Sequence, residues 1–221
     1  MKRFWKKVNR GVVLAIALIL LLVGFVVVKE VQFRMEAPLI RDTAKTAIEE
    51  LLLLNVSGEE TVLGQVRSYD VQLRERDRLE SVLSTYWDAD AESDYYLDAV
   101  SVRAAFEKYL QAPVRMQMRE LTMSIADQDV SVRQNGTDYA VVTVDINALS
   151  ARYRGDGETV FYGEYYGGEE IGVVLGEYLG AYDGYVEMEL HRRDGAWRVC
   201  GMSAWVQLRD KAVITETGGA D

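Results

Sequence analysis

Apolar residues follow three regimes along this chain. From Gly11 to Val28, GVVLAIALILLLVGFVVV, no residue carries a charge or a polar side chain. From Ile40 to Leu110, apolar residues recur at three- and four-residue spacing, the signature of helices with one buried face. After Pro113 the period falls to two, as in strands. Lys29 to Glu36 continues the first helix beyond the apolar run. Pro38 suits a first helical position, and Ile40, Ala44, Ala47, Ile48, Leu51 and Leu52 form the stripe of an amphipathic helix that Gly58 ends. A second helix is expected to start near Glu59, with Glu59 and Glu60 at the positive end of its dipole. Its stripes are Val62, Val66, Tyr69 and Leu73, then Leu79, Val82, Leu83 and Tyr86. Arg74 to Arg78 is a solvated crossing or a bend between them. A third helix runs from about Ala99 to Gln111, buries Val102, Phe106 and Leu110, and is stopped by Pro113.

The strands follow. Val114, Met116, Met118 and Leu121 alternate with polar residues. Val130 to Arg133 and Tyr139 to Ile146 flank Asn135-Gly136, a hairpin turn signal. Val186, Met188 and Leu190 alternate with Glu187, Glu189 and His191. Asp194-Gly195 turns the chain into a return strand with Trp197 and Val199, and Ala204, Val206 and Leu208 continue it. Thr215 to Asp221 reads as a frayed end. Anchor, helices, then antiparallel strands make an α+β protein. The expected division is a basic tail at 1–10, a transmembrane helix at 11–28, a connector and amphipathic helix at 29–58, a folded domain at 59–210 and a flexible tail at 211–221.

The run at 11–28 rises about 27 Å as a helix, close to the hydrocarbon thickness of a bilayer. A cleaved signal peptide has a shorter apolar core and a small-x-small cleavage site. Val28-Lys29-Glu30-Val31-Gln32-Phe33 offers no such site, so an uncleaved anchor is expected. Lys2, Arg3, Lys6, Lys7 and Arg10 crowd its N-terminal side. By the positive-inside rule the N-terminus is cytoplasmic and the domain extracytoplasmic, which places the protein in the cell membrane with a single span.

Charge sharpens that division. The net charge of −10 conceals an N-terminal segment with no acid and a remainder with 20 basic and 35 acidic residues. So acidic a domain repels nucleic acid and anionic headgroups. The single cysteine, Cys200, excludes an internal disulfide.

Two segments carry a family resemblance. SVRAAFEKYLQAPVRMQMREL resembles the helix and first long strand of the NTF2-like cone, and YVEMELHRRDGAWRVCGM resembles its closing hairpin. The resemblance spans roughly residues 59 to 210 and implies helices packed on a curved antiparallel sheet. The 155–185 region departs from it, being too rich in glycine for a plain strand pair. With a basic tail and one span, the layout is similar to VirB8-like and related bacterial surface assembly proteins.

Candidate chemistry is sparse. Gly168, Gly172, Gly176, Gly180 and Gly184 recur every four residues among Tyr165, Tyr166, Tyr178 and Tyr182. This stretch reads as strands with glycines at bulges, as a lid or insertion, or as a helix-packing and self-association surface. Tyrosine beside glycine makes it the candidate partner surface. Asp88, Asp90, Glu92 and Asp94 alternate as in a calcium loop, but Ser93 replaces the turn glycine and Ala99 the closing acid, so a solvated linker is the competing reading. His191, the only histidine, shares a strand face with Glu189 and, with Asp145, makes a candidate pocket for acid–base work. Cys200 reads as a small hydrophobe. No motif assigns a catalytic, cofactor-binding or metal-ligating residue. The sequence favours a non-enzymatic interaction or assembly module over its alternative, a ligand-binding or enzymatic cup.

Overall fold

The computed structural model describes residues 10–58, 60–91, 93, 95, 97–136, 138–155 and 177–214. Its elements, in order, are helices α1 (Arg10–Leu53) and α2 (Tyr69–Tyr86), strand β1 (Leu97–Asp98), helix α3 (Ala99–Gln111), and strands β2 (Met116–Met123), β3 (Val130–Gln134), β4 (Tyr139–Gly155), β5 (Glu177–Arg193) and β6 (Ala196–Val213). The chain divides into two compact units at Pro38/Leu39. The boundary falls within the segment read from sequence as a connector.

In the first unit, the part of α1 that begins at Gly11 is long and apolar enough to cross a membrane, and Gly11 to Val28 are all exposed. The second unit begins inside the same helix. Pro38 therefore lies within α1 and not at a helix start. An interior proline removes one backbone hydrogen bond and costs about 3 kcal/mol. Burial of Ile40, Ala44, Ala47, Ile48, Leu51 and Leu52 to 2% exposure or less offsets that cost.

Two further expectations are corrected. The helix ends at Leu53, short of Gly58, and the next helix starts at Tyr69 instead of near Glu59. Residues 60–68 are irregular, and Val62, Val66, Tyr69 and Leu73, taken as a buried stripe, are exposed. Backbone pairing explains this. Ser57 N–H donates to the Met118 carbonyl at 2.8 Å, Gly64 N–H to Val114 at 2.8 Å, and Val114 N–H to Gln65 at 2.9 Å. These bonds pin the segment, with its turns, against Val114 and the start of β2. The true start of α2 is Ser68, whose hydroxyl accepts from the Val71 N–H, with Asp70 in the first turn. Arg74 to Arg78 neither breaks nor bends it into two helices.

The sheet is antiparallel, in the order β1-β6-β5-β4-β2, with β3 also on β4. This is the expected α+β class, helices packed with an antiparallel sheet. Asn135-Gly136 forms the predicted turn, pairing Val130 with Val144 through Gln134 with Ala140. One face of β4–β6 is apolar: Val142, Val144, Val186, Met188, Leu190, Val199 and Met202 are fully buried. α2 packs on α3 and touches β6. It contributes Leu79, Val82 and Leu83, and α3 contributes Val102, Phe106 and Leu110. Paired guanidinium–carboxylate contacts, Arg103 to Glu80 at 2.6 and 2.9 Å and Arg76 to Glu107, join the two helices at their exposed rims. Of the tail expected at 211–221, Lys211 to Val213 complete β6, and 215–221 lie outside the described residues.

Close strand packing fixes one glycine. Gly184 has φ +150, and a Cβ there would lie 1.9 Å from the Trp205 carbonyl oxygen. Gly136, at φ +91, faces open space. Gly136→Ala should therefore cost only the left-handed backbone penalty, about 1–2 kcal/mol. Gly184→Ala should cost clearly more, because it adds an overpacking penalty of about 1–3 kcal/mol. Urea unfolding of the full chain in detergent, followed by tryptophan fluorescence, gives the comparison.

Candidate functional site

The second face of the sheet carries the polar chemistry. Alternation along β5 sends Leu179, Asp183, Tyr185, Glu187, Glu189 and His191 to this face and Tyr178, Tyr182, Val186, Met188 and Leu190 to the buried one. His191 sits opposite Tyr139 on β4 and Arg198 on β6. The imidazole stacks on the Tyr139 ring, with centroids 4.4 Å apart and planes 12° off parallel.

Asp88 completes the group. It follows Trp87, the C-cap of α2, and its backbone N–H donates to the Val199 carbonyl at 2.8 Å, which fastens the helix end to β6. Its side chain is 4% exposed. Oδ2 lies 3.3 Å from His191 Nδ1, and Oδ1 accepts from Arg193 Nη1 at 3.0 Å. Arg193 Nη1 also donates to Asp90 Oδ2 at 3.1 Å, and the Asp90 N–H donates to Asp88 Oδ1 at 3.3 Å. Burial alone would push the Asp88 carboxyl up. The bonds from His191, the Asp90 N–H and Arg193 together outweigh it and hold the pKa below its ordinary value. A carboxylate only accepts, so the imidazole proton facing Asp88 sits on Nδ1; in the neutral ring this leaves Nε2 as the acceptor.

Further along the face, Ser93 Oγ donates to Glu189 at 3.1 Å and Tyr95 OH to Glu187 at 2.6 Å. Burial, then the bond to Glu187, raises the Tyr95 phenol well above its ordinary value. Two clefts adjoin the cluster. One, of about 390 Å³, is lined by Trp87, Asp88, Asp90, Arg103, Arg193 and Arg198 among others. The other, of about 790 Å³, is lined by Asp90, Ser93, Asp98, Asn135, Tyr139 and Glu189 among others. Cys200 is fully buried, and burial, then the charges of Glu189 and Asp88, push its thiol up to about 12. It is no nucleophile at neutral pH.

The sequence candidates separate here. His191 and Glu189 do share a face, two positions apart. Asp145 shares it too, but pairs with Tyr185, six residues along β5 from His191, or roughly 20 Å at strand rise. It is exposed and does not join the cluster. Asp88 and Asp90, from the stretch that alternates as in a calcium loop, are engaged by Arg193, and Glu92 and Asp94 lie outside the described residues. Among the described residues no three His, Cys, Asp or Glu side chains converge on a metal position. Of the glycine–tyrosine surface, Gly168, Gly172, Gly176, Tyr165 and Tyr166 lie outside the described residues. The remainder belongs to strand β5 and not to a helix. Tyr182 is 1% exposed, Tyr178 stacks on Tyr153 at 5.7 Å, Gly180 is buried, and Gly184 is pressed against β6. Strand alternation turns these four toward the core.

Sequence reasoning missed two features. One is Arg193, which binds Asp88 and Asp90 across more than a hundred residues and leaves no local signal. The other is Trp205, opposite Tyr185 on the open face, the two being 60% and 47% exposed. This one was signalled: once Ala204, Val206 and Leu208 face inward, Trp205 must face out with Ser203 and Gln207.

Because the folded-state pKa of Asp88 is depressed, its stabilisation is present above the ordinary carboxylate range and is lost as pH falls through the depressed value. Asp88→Asn should lower stability at pH 7 by about 2 kcal/mol, the worth of bonds to a charged group. It should also make the loss of stability toward pH 3 shallower than in the wild type. Urea midpoints across that range provide the measurement.

No family model matches this chain, and no curated protein matches it. Among solved structures it is similar to a hexachlorocyclohexane dehydrochlorinase (LinA) type 2, at 15% identity and a TM-score of 0.38, over 83% of this chain and 97% of that one. It is also similar to hexachlorocyclohexane dehydrochlorinase LinA-type3 from Novosphingobium barchaimii LL02, at 13% identity and a TM-score of 0.34, over 81% and 95%. Those scores transfer no residue and no activity.

Proposed function

We propose that this protein is a membrane-anchored interaction module, displayed outside the cell membrane, whose folded domain binds a protein partner through the open face of its sheet. The observation that carries this is the Tyr185–Trp205 pair. Two large aromatic side chains stand opposite one another on an exposed sheet face, where a strand surface serving only solubility carries polar residues. Farther along β4–β6 the inward face is filled with fully buried aliphatic side chains, Val142, Val144, Val186 and Leu190 among them. This supports a domain that works through its outer surface.

The apolar part of α1 acts as a tether in this reading, with the basic tail retained in the cytoplasm. Confinement to two dimensions raises local concentration, so a modest aromatic contact suffices. The overall plan resembles bacterial surface and secretion assembly components such as the VirB8-like proteins. Orientation is open to direct measurement. A thiol reagent that does not cross membranes should label a cysteine introduced at Asp70 in intact cells and leave one at Lys6 unlabelled until the cells are lysed.

A second reading rests on the Asp88–His191 pair. A carboxylate that fixes an imidazole tautomer beside a cleft is equipped for proton transfer. In that case a small molecule should raise the unfolding temperature of the wild type and not of His191→Ala.

The interaction reading is tested in membranes. A photo-crosslinking residue at position 185 should yield a discrete adduct that Trp205→Ser reduces at least several-fold, whereas the same probe at Asp70 should yield none. A chain that remains free with the probe at 185 overturns the proposal.

A further inference from the structure

Strand β6 ends the sheet over much of its length. β1 covers it only at Gly201 and Met202. From Trp205 to Val213, no strand pairs on that side among the described residues. An open edge presents unpaired backbone donors and acceptors, and proteins usually blunt such edges with charge or bulges. Here the blunting lies to one side. The register shifts between Leu208 and Asp210, leaving Arg209 as the extra residue of a bulge, and Asp210 and Lys211 follow it. Trp205 to Leu208 remain uncharged and in unbroken register with Tyr185 to Tyr182.

Residues facing one another across antiparallel strands must point to the same side of the sheet. Trp205 and Gln207 pair with Tyr185 and Asp183 on the open face, while Val206 and Leu208 pair with Gly184 and Tyr182 on the inward one. Arg209 belongs to the open face, since its Nε lies 3.9 Å from the Asp183 carboxylate. The segment is therefore complementary to itself about Gln207.

We infer that Trp205 to Arg209 of β6 pairs antiparallel with the same segment of a second copy, about a two-fold axis through Gln207. In this register Trp205 of each copy faces Arg209 of the other, placing a guanidinium beside an indole. Val206 faces Leu208, and Gln207 faces its own counterpart. The only charge in the segment meets an aromatic ring, so no like charges oppose one another. A two-fold interface closes on itself and forms no open filament. The Tyr185–Trp205 pairs of both copies then lie on the same face of the extended sheet, on either side of the two Gln207 side chains and four positions apart in register, roughly 13 Å along the strands. Five residues on each side make a weak contact in dilute solution, and tethering to one membrane raises its occupancy. The inference rests on the interaction reading, and names its partner.

The test uses the full chain in membranes, with buried Cys200 replaced by alanine and single cysteines introduced elsewhere. Two-fold-related residues at position 207 would have Cα atoms about 4.5–5.5 Å apart, within disulfide range. Gln207→Cys should form a covalent dimer under mild oxidation at least five-fold more efficiently than Asp183→Cys, one strand inward. Trp205→Cys and Arg209→Cys expressed together on differently tagged chains should cross-link to each other. Arg209→Glu should reduce the Gln207→Cys dimer to the Asp183→Cys level while shifting the unfolding midpoint of the chain only slightly, since the Arg209–Asp183 contact it removes is long and exposed. No excess dimer at Gln207→Cys, a dimer indifferent to Arg209→Glu, or cross-links only to a different protein each overturn the inference. A photo-adduct at position 185 that persists without the Gln207→Cys dimer rejects self-pairing alone; loss of both rejects the interaction reading as well.

Discussion

Everything in the folded domain depends on the pairing of β5 on both of its edges. Over seventeen residues it is bonded to β4 on one side and β6 on the other. A strand so held cannot slip by one position without exchanging its faces, which would expose Val186, Met188 and Leu190 and bury Glu187, Glu189 and His191. That penalty fixes the register. It separates a face committed to the core from one free to carry polar and aromatic chemistry, and Gly184 shows how tightly the pairing is drawn.

The end of α2 is fastened to this sheet at a single place. Trp87 is buried, the Asp88 backbone bonds to Val199, and the Asp88 side chain reaches His191 and Arg193 on the next strand. A largely buried carboxylate costs free energy unless its oxygens are satisfied, and here three donors satisfy them. The same contacts fix the imidazole tautomer and stack the ring on Tyr139. Structural fastening and candidate chemistry are thus carried by the same atoms. The open aromatic end of the face lies several residues farther along β5, beyond Ser93 and Tyr95 on their glutamates.

Most of the fold was legible from periodicity. The change from helical to alternating spacing at Pro113, the Asn135-Gly136 turn, α3 and the β5–β6 hairpin follow from local preferences that the tertiary structure preserves. The misplaced elements are those where long-range pairing overrode a local pattern. Val62 and Val66 have helical spacing, but Gly64 and Gln65 between them bond their backbones to Val114, and Thr61 and Gln65 close local turns on Gly58 and Val62. Pro38 reads as a helix start, yet burial of Ile40 to Leu52 carries the helix through it. The glycine period at 168–184 suggested a packing stripe, whereas Gly180 and Gly184 are small because neighbouring strands and rings approach closely.

By itself, the sequence determined what depends on composition and short-range spacing: an apolar run able to span a membrane, a basic flank, an acidic α+β domain, and the sharing of one strand face by His191 and Glu189. Only the tertiary structure decided which residues meet. Asp88 and His191 are 103 positions apart, and no local preference encodes their contact. Strand register likewise placed Asp145 away from that cluster, opposite Tyr185, and set Tyr185 beside Trp205 on an open face. Alternation states which way a side chain points. Pairing across strands determines its neighbours, and in this protein the neighbours define both the candidate site and the surface.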